Sequence, residues 1–528
     1  MKDIVIMQIV TPTSKINQTS KHISQYWGEL INSADNSHKA LRIPNPYITP
    51  SKKFDAFFYW DTYFTNLGLV IDDRYGLAEG AVKNFLFEIN ELGFIPNFNG
   101  SSIGVSKTRS QPPFLSQMFL ELFSVSGDKE LLRECIEPLK REYEYWTSPP
   151  KLFKLGLSRY YDSSFFSKLQ PYSTMAESGW DFTNRFKNIK QSLPVDLNTL
   201  LFLYEKDIIY FFEILGILTD EEKEKWENRY KQRIELINKY WWDEERKFFY
   251  DFSPKSNKTE KSSSLAGFFP MWGKIIDYSK AENCVEKAHK FLAPGGFVTT
   301  LDNKIDGWWI FMKPFGLQWC YPVGWAPLQW IVNKGLCNYN YDILAAESSL
   351  KFLSMIADIF VEKGDIYEKY NVINKSTKVK APQGMHTGFG WTNSIFQTLL
   401  IRIILGIEPS LKSGFKFSPR IPALWQQHTI TASFSNYPKI GLNLSLKIEE
   451  KRNDEKIIKY LMNVNKAVEI EMRFFKKTPE SFQSILINNE ERMNDFQLEP
   501  LGKEEKTIAI SKKPISLKSG HINVIQLG

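Results

Sequence analysis

From residue 19 to about 407, apolar residues return every three or four positions along the chain. Ile343, Ala346, Leu350, Leu353, Ala357 and Phe360 form one such stripe, and Leu197, Leu200, Leu201, Tyr204, Ile208, Phe211 and Leu215 form another. This is the period of an amphipathic helix with one face on a core. The spacing predicts helices over 19–34, 61–72, 75–92, 112–126, 128–147, 196–217, 219–242, 263–276, 279–293, 324–338, 341–364 and 390–407. Thr219 to Glu222 has the pattern of a capping box at the start of the seventh. The links alternate in length: those after the second, fourth, sixth, eighth and tenth helices are very short, and the rest are long. A short link forces antiparallel neighbours. Six hairpins in a ring would then place every long link at one end, which predicts an (α/α)6 barrel with one functional mouth.

Beyond about residue 412 the period changes to two. Leu442, Leu444, Leu446 and Ile448 alternate with Asn443, Ser445, Lys447 and Glu449, and Val468, Ile470, Met472 and Phe474 alternate with Glu469, Glu471 and Arg473. Alternation of this kind predicts half-buried strands. The expected fold is therefore mainly α: an N-terminal arm over 1–18, a catalytic (α/α)6 barrel over 19–411, and a C-terminal antiparallel β-sandwich domain over 412–528, with Pro419 and Pro422 at the join.

Composition narrows the function. The formal charge is +7 with no basic block, so a nucleic-acid partner is not expected. No run of eighteen uncharged apolar residues occurs, so no membrane partner is expected either. Met1 to Val10 lacks the features of a leader, which predicts a cytoplasmic enzyme. Cys135, Cys284, Cys320 and Cys337 are scattered, and the six His do not cluster, so neither a disulfide framework nor a metal or other cofactor is expected. Aromatic residues make up 15% of the chain, which supplies flat apolar faces able to stack on sugar rings.

The candidate chemistry lies in the long links. One contains Ala176-Glu177-Ser178-Gly179-Trp180-Asp181-Phe182; another contains Tyr367-Glu368-Lys369-Tyr370, followed by Gly388-Phe389-Gly390-Trp391. Burial against apolar rings raises a carboxyl pKa, as a general acid near neutrality requires. In a six-hairpin ring the links carrying Asp181 and Glu368 approach a ligand from opposite walls. Opposed carboxyls suit inverting glycoside hydrolysis, in which one protonates the leaving oxygen and the other activates a water on the far face of the sugar.

Several strings resemble those of glycoside hydrolase family 37, the trehalases, over about residues 45–405. Phe57-Phe58-Tyr59-Trp60-Asp61-Thr62-Tyr63 is similar to the first family signature, and Gln318-Trp319-Cys320-Tyr321-Pro322-Val323-Gly324-Trp325-Ala326-Pro327 to the second. Ile95-Pro96-Asn97, Arg109-Ser110-Gln111-Pro112-Pro113, the Glu177 to Asp181 string and Pro194-Val195-Asp196-Leu197-Asn198 match in order between them. The resemblance implies Asp181 as catalytic acid and Glu368 as catalytic base, with Lys53, Phe54, Trp60, Asp61, Asn97, Arg109, Gln111, Gly179, Trp319 and Trp391 as substrate-binding positions. It implies a small disaccharide substrate, α,α-trehalose or a related α-glucoside, and says nothing of the oligomeric state. The chain departs from the family pattern at Lys53, where Arg is usual, and at Ala56, Cys320 and Pro382, where carboxylates are usual; an Arg-Pro-Glu string expected before Asp181 has no counterpart. These departures favour retained chemistry with altered recognition of the leaving group. A non-catalytic sugar-binding protein is the remaining alternative, and retention of both carboxyls in their local strings weighs against it.

Overall fold

The computed structural model describes residues 7–33, 40–165, 167, 172–302, 304, 314–452, 456–476, 484–501 and 506–527. Residues 1–6 of the expected arm lie outside them. Thirteen α-helices occur among the described residues. They are α1 (Ser14–Tyr26), α2 (Tyr59–Ile71), α3 (Tyr75–Leu92), α4 (Leu115–Ser126), α5 (Lys129–Trp146), α6 (Tyr172–Glu177), α7 (Val195–Leu215), α8 (Asp220–Tyr240), α9 (Phe269–Trp272), α10 (Tyr278–Phe291), α11 (Ala326–Asn338), α12 (Asp342–Lys363) and α13 (Gly390–Thr398).

The helices differ in how much of their surface is apolar, and this sorts them into two layers. All thirteen residues of α2 and all nine of α13 are buried, whereas α8 buries only Trp226, Arg233 and Ile237. A helix apolar or small all round has to be enclosed; one with a charged face stays outside. The enclosed helices contact one another in a closed cycle, α2 to α4, α4 to α7, α7 to α9, α9 to α11, α11 to α13 and α13 back to α2. Outside it, α3 and α5 pack on α4, α8 on α7, and α12 on α11. The tightest approach is between α2 and α13, where a Cβ on Gly68 would lie 2.6 Å from Ser394 Cα. Ser394 Oγ accepts from Gly68 N at 2.6 Å and donates to Phe64 O, so the two backbones are joined where they meet.

Short and long links alternate. Ile71 leads to Tyr75, Ser126 to Lys129, Leu215 to Asp220 and Asn338 to Asp342, while the stretches before α2, α4, α7, α9, α11 and α13 are long. Asp128 caps α5 by accepting from Glu130 N and Leu131 N, and Thr219 caps α8 by accepting from Glu222 N at 3.2 Å.

Three predicted helices are corrected. Helix α1 starts at Ser14 rather than 19 and gives way to a 3-10 turn at Trp27. Its inward face has only Ile16 and Ile23 beside Thr19 and Ser20, too weak a stripe to mark the start. The segment over 263–276 is a 3-10 turn, Leu265–Phe268, followed by the one-turn α9, because Gly267, Pro270 and Gly273 interrupt any longer helix. The last helix passes at Leu399–Ile404 into a π-helix.

The sheet-containing part begins at Ile407–Pro409. One sheet orders Met7–Val10, Ile430–Phe434, Leu444–Arg452, Lys456–Val464, Gly520–Leu527, Ser484–Ile487 and Glu490–Glu491 as antiparallel neighbours. The other orders Ile407–Pro409, Phe415–Phe417, Val468–Lys476, Lys506–Ser511 and Phe496–Leu501, and its Phe415–Phe417 to Val468–Lys476 pairing is parallel. Side chains of the two sheets meet where Tyr460 packs on Phe417 and Phe474, with ring centroids 5.4 and 5.2 Å away. Residues 7–10 of the expected arm are thus a strand of the first sheet, with Met7 opposite Phe434. A buried ion pair, Arg420 with Asp342, fastens this part to α12, and within the helical part Arg402 of the π-helix grips Glu121 of α4 through two bonds.

Candidate active site

Five of the six long stretches, with the first turns of α2 and α13, converge on one cavity of about 110 Å³. Tryptophans wall it. Trp319 stacks on Trp325 with centroids 3.9 Å apart and planes 1° from parallel, and Trp60 and Trp391 stand near them at 5.6 and 6.3 Å from Trp319. The enclosure suits a small ligand with flat apolar faces rather than a long polymer.

Asp181 follows α6 in the stretch leading to α7, and its position is fixed from below. Arg185 is fully buried and bonds both Asp196, at 2.6 and 2.8 Å, and Asp251, at 2.7 Å through each of two nitrogens. Its guanidinium lies 4.7 Å over the Trp180 ring, so a satisfied charge network supports the residue preceding Asp181. Gly179 has φ +73, and a Cβ there would lie 2.5 Å from the Trp60 ring, so only glycine lets this turn lie against Trp60. Desolvation among the surrounding rings pushes the Asp181 carboxyl up to about 7; the Gln383 hydrogen bond opposes this and the negative charge of Glu368 adds to it.

Glu368 borders the same cavity from the stretch between α12 and α13. Its peptide is held on both sides: the N–H donates to His386 O at 3.0 Å, and the C=O accepts from Trp391 Nε1 at 3.2 Å. Its Oε2 lies 2.5 Å from Lys369 Nζ, a fully buried ammonium. The two carboxyls therefore face one ligand space in different surroundings, Asp181 among rings and amides and Glu368 against a cation.

A third carboxyl, Asp61 at the start of α2, is pushed up to about 8, chiefly by burial and further by the charges of Asp181 and Glu368. Its Oδ2 is buried without a hydrogen-bond partner among the described residues. A buried carboxyl oxygen left open on a ligand cavity suits a sugar hydroxyl.

Phe54, Trp60, Asp61, Gln111, Gly179, Asp181, Trp319, Glu368 and Trp391 all line the cavity. Gln111 also uses Oε1 to accept from Trp60 N at 3.1 Å, which sets the first turn of α2. Asn97, Arg109 and Lys53 are not among the lining residues. Asn97 spends its amide hydrogens on Ser110 O and Ala176 O, tying together two of the converging loops. Arg109 reaches Asp162 at 3.4 Å and lies over the Phe98 ring, and Lys53 is exposed. Cys320 is buried with its thiol on Leu317 O.

The cavity is also lined by Gln318, Trp325, Phe389 and Gln383. Gln318 and Trp325 lie inside the second quoted string, but no pattern marks Gln383. Its Nε2 donates to Asp181 Oδ2 and to Tyr172 OH, each at 3.3 Å, while its Oε1 accepts from Gln318 Nε2 at 2.8 Å. It adjoins Pro382, so the polar side chain of this loop stands one residue beyond the position where the family pattern has its carboxylate.

The trehalase family model matches residues 5–166 and 162–403. This chain belongs to the trehalase family. It is a glycoside hydrolase by that membership. The periplasmic trehalase of Shigella flexneri serotype 5b (strain 8401) is 29% identical over 431 residues, covering 72% of this chain and 73% of that one. Among solved structures, the neutral trehalase of Saccharomyces cerevisiae has a TM-score of 0.62 at 24% identity, covering 73% of this chain and 94% of that one. An α-L-rhamnosidase from Dictyoglumus thermophilum has a TM-score of 0.54 at 14% identity and covers 99% of this chain and 50% of that one, a likeness of fold alone. The expectation of a cytoplasmic enzyme is corrected by the curated relatives, which are named periplasmic trehalases in both Shigella flexneri and Escherichia coli. That expectation rested on the residues at the start of the sequence, which do not decide the compartment.

Proposed function

We propose that this trehalase-family chain hydrolyses α,α-trehalose to glucose with inversion, Asp181 acting as general acid and Glu368 as general base. The observation that carries the reading is that both carboxyls border one small tryptophan-walled cavity, the first raised to about 7 by desolvation and the second paired with an ammonium. Asp181 gives its proton to the glycosidic oxygen as the bond from that oxygen to the anomeric carbon breaks. Glu368 takes a proton from a water whose oxygen attacks the same carbon from the opposite face. The leaving glucose departs as the α-anomer, and the attacked one is released as β-glucose. This geometry needs roughly 6.5–9.5 Å between the carboxyls, room for the water. A neutral Asp61 and Gln111 supply hydrogen bonds to sugar hydroxyls, and Trp60, Trp319 and Trp391 supply stacking faces. The enclosing architecture in this reading is an (α/α)6 barrel made by the closed helix cycle, with the two facing sheets as a β-sandwich beside it. The reaction is placed in the periplasm, after the names of the curated relatives.

A second reading, the same chemistry on another small α-glucoside, is favoured by the uncharged amide of Gln383 next to the acid and by the Cys320 thiol turned onto backbone. Purified protein incubated with trehalose and a panel of α-glucosides, with the first anomer followed by NMR, tests both. β-Glucose released from trehalose before mutarotation is the expected result. Turnover of another α-glucoside in preference to trehalose would replace the first reading by the second, and α-glucose as the only early product would overturn the acid and base roles.

A further inference from the structure

The neighbour of the proposed base is itself unusual. Lys369 is fully buried, and its ammonium meets Glu368 Oε2 at 2.5 Å although the two residues are adjacent in sequence. Its backbone belongs to a short strand, Lys369–Asn371, paired antiparallel with Val323–Trp325, in which Lys369 lies opposite Trp325. From there the ammonium lies 5.2 Å from the Trp325 ring centroid, and Trp325 in turn stacks on Trp319 at the cavity wall. The cation is thus held by a strand, a ring face and one carboxylate oxygen. Burying a lysine costs several kcal/mol unless its charge is answered, so a purely structural gap here would be filled more cheaply by an apolar side chain.

We propose that Lys369 is a positioning residue for hydrolysis: its ammonium fixes Glu368 Oε2 and leaves Oε1 as the atom that takes the proton from water. This rests on the assignment of Glu368 as the base. The arrangement has two consequences. Tying one oxygen sets the rotation of the carboxylate, so the other points in one direction. The ammonium also sets a positive charge 2.5 Å from the carboxylate, in a cavity walled by apolar rings. The other titratable or charged groups around Glu368 do not supply this. Asp61 and Asp181 are carboxyls that burial pushes toward the neutral form, Lys53 is exposed, and burial lowers the His386 pKa, which leaves that ring uncharged at neutral pH.

The test is kcat/KM on trehalose as a function of pH for the full chain and for Lys369→Gln, Lys369→Met and Lys369→Arg, with Glu368→Gln alongside. Lys369→Gln keeps a donor to Oε2 without the charge, and its acidic limb is expected to move to higher pH by about 1–3 units. Lys369→Arg keeps the charge and should leave that limb in place. A residue that serves only packing would lower activity at every pH without moving the limb, so an unmoved limb in Lys369→Gln overturns the proposal. If that variant does not fold, Lys369→Met, which fills the space over Trp325, gives the same reading. Loss of activity in Glu368→Gln together with an unmoved limb in the neutral lysine variants rejects the role of Lys369 alone. Full activity in Glu368→Gln rejects the base assignment itself.

Discussion

The two carboxyl walls of the cavity are built on opposite electrostatic plans. Asp181 stands among aromatic rings, with an amide from Gln383 and no ion pair among the described residues, and desolvation moves its carboxyl to about 7. Glu368 is buried but meets the ammonium of Lys369. In the proposed reading this difference lets Asp181 hold a proton and Glu368 take one, the two halves of an acid and base reaction. The difference comes from what each neighbouring element presents: rings and amides beside α6, and a strand-borne cation beside α12.

The most direct way to break the comparison is to remove either wall's carboxyl. Asp181→Asn and Glu368→Gln should each lower kcat on trehalose by roughly 10²–10⁴-fold while leaving the unfolding midpoint near that of the parent. A smaller effect should come from the amide on the acid's wall. Gln383→Ala removes a donor to Asp181 Oδ2 and should cost about tenfold in kcat/KM, since one hydrogen bond to an ionisable group is lost. The pH profile sharpens the same point. If Asp181 is the acid it has to carry its proton, so activity should decline as pH rises through about 7, and in Gln383→Ala that basic limb should move higher because the bond that lowers the Asp181 pKa is gone. The smallest effect is expected far from the cavity. Glu88 on α3 is buried, accepts from Asn99 Nδ2 at 2.9 Å and is pushed from 4.5 to about 8 by burial. The folded chain keeps this proton where the unfolded chain has released it, so its stabilising contribution is full below about 4.5 and is lost as pH rises through about 8. Glu88→Gln should flatten that decline in urea unfolding without altering kcat.

Much of the helical order is legible in the chain because it is local. The stripes of α7 and α12 and the Thr219 cap depend on residues within a few positions of one another, and link length alone separates short turns from functional stretches. The strands over 444–448 and 468–474 are legible for the same reason, through strict alternation. What depends on distant partners is not. Met7 and Ile9 are too few to mark a strand, and their pairing with residues more than four hundred positions away has no local sign. The parallel pairing of Phe415–Phe417 with Ile470–Met472 is equally hidden.

The site divides in the same way. Asp181 and Glu368 stand out because each is a carboxylate in an aromatic string, and Trp60, Asp61 and Gly179 are carried by recognisable strings nearby. Asn97 and Arg109 also lie in such strings, yet their side chains hold loops and neighbours rather than line the cavity. Gln383 sits in a polar loop with no period, and its place on Asp181 follows from how that loop crosses the cavity rather than from its own neighbours in sequence. Lys369 is adjacent to Glu368, but only the strand pairing that lays it over Trp325 shows that its charge is turned inward.

The antiparallel match of Met7–Val10 to Thr431–Phe434 also constrains the order in which the molecule can be completed. During synthesis, the early segment waits with its hydrogen-bonding edge unmatched until the ribosome has passed the whole of the helical part. Anything that occupies or lengthens that early segment acts on the final closure of the sheet, well away from the sugar cavity, and so on the yield of folded protein rather than on the rate of each molecule that succeeds.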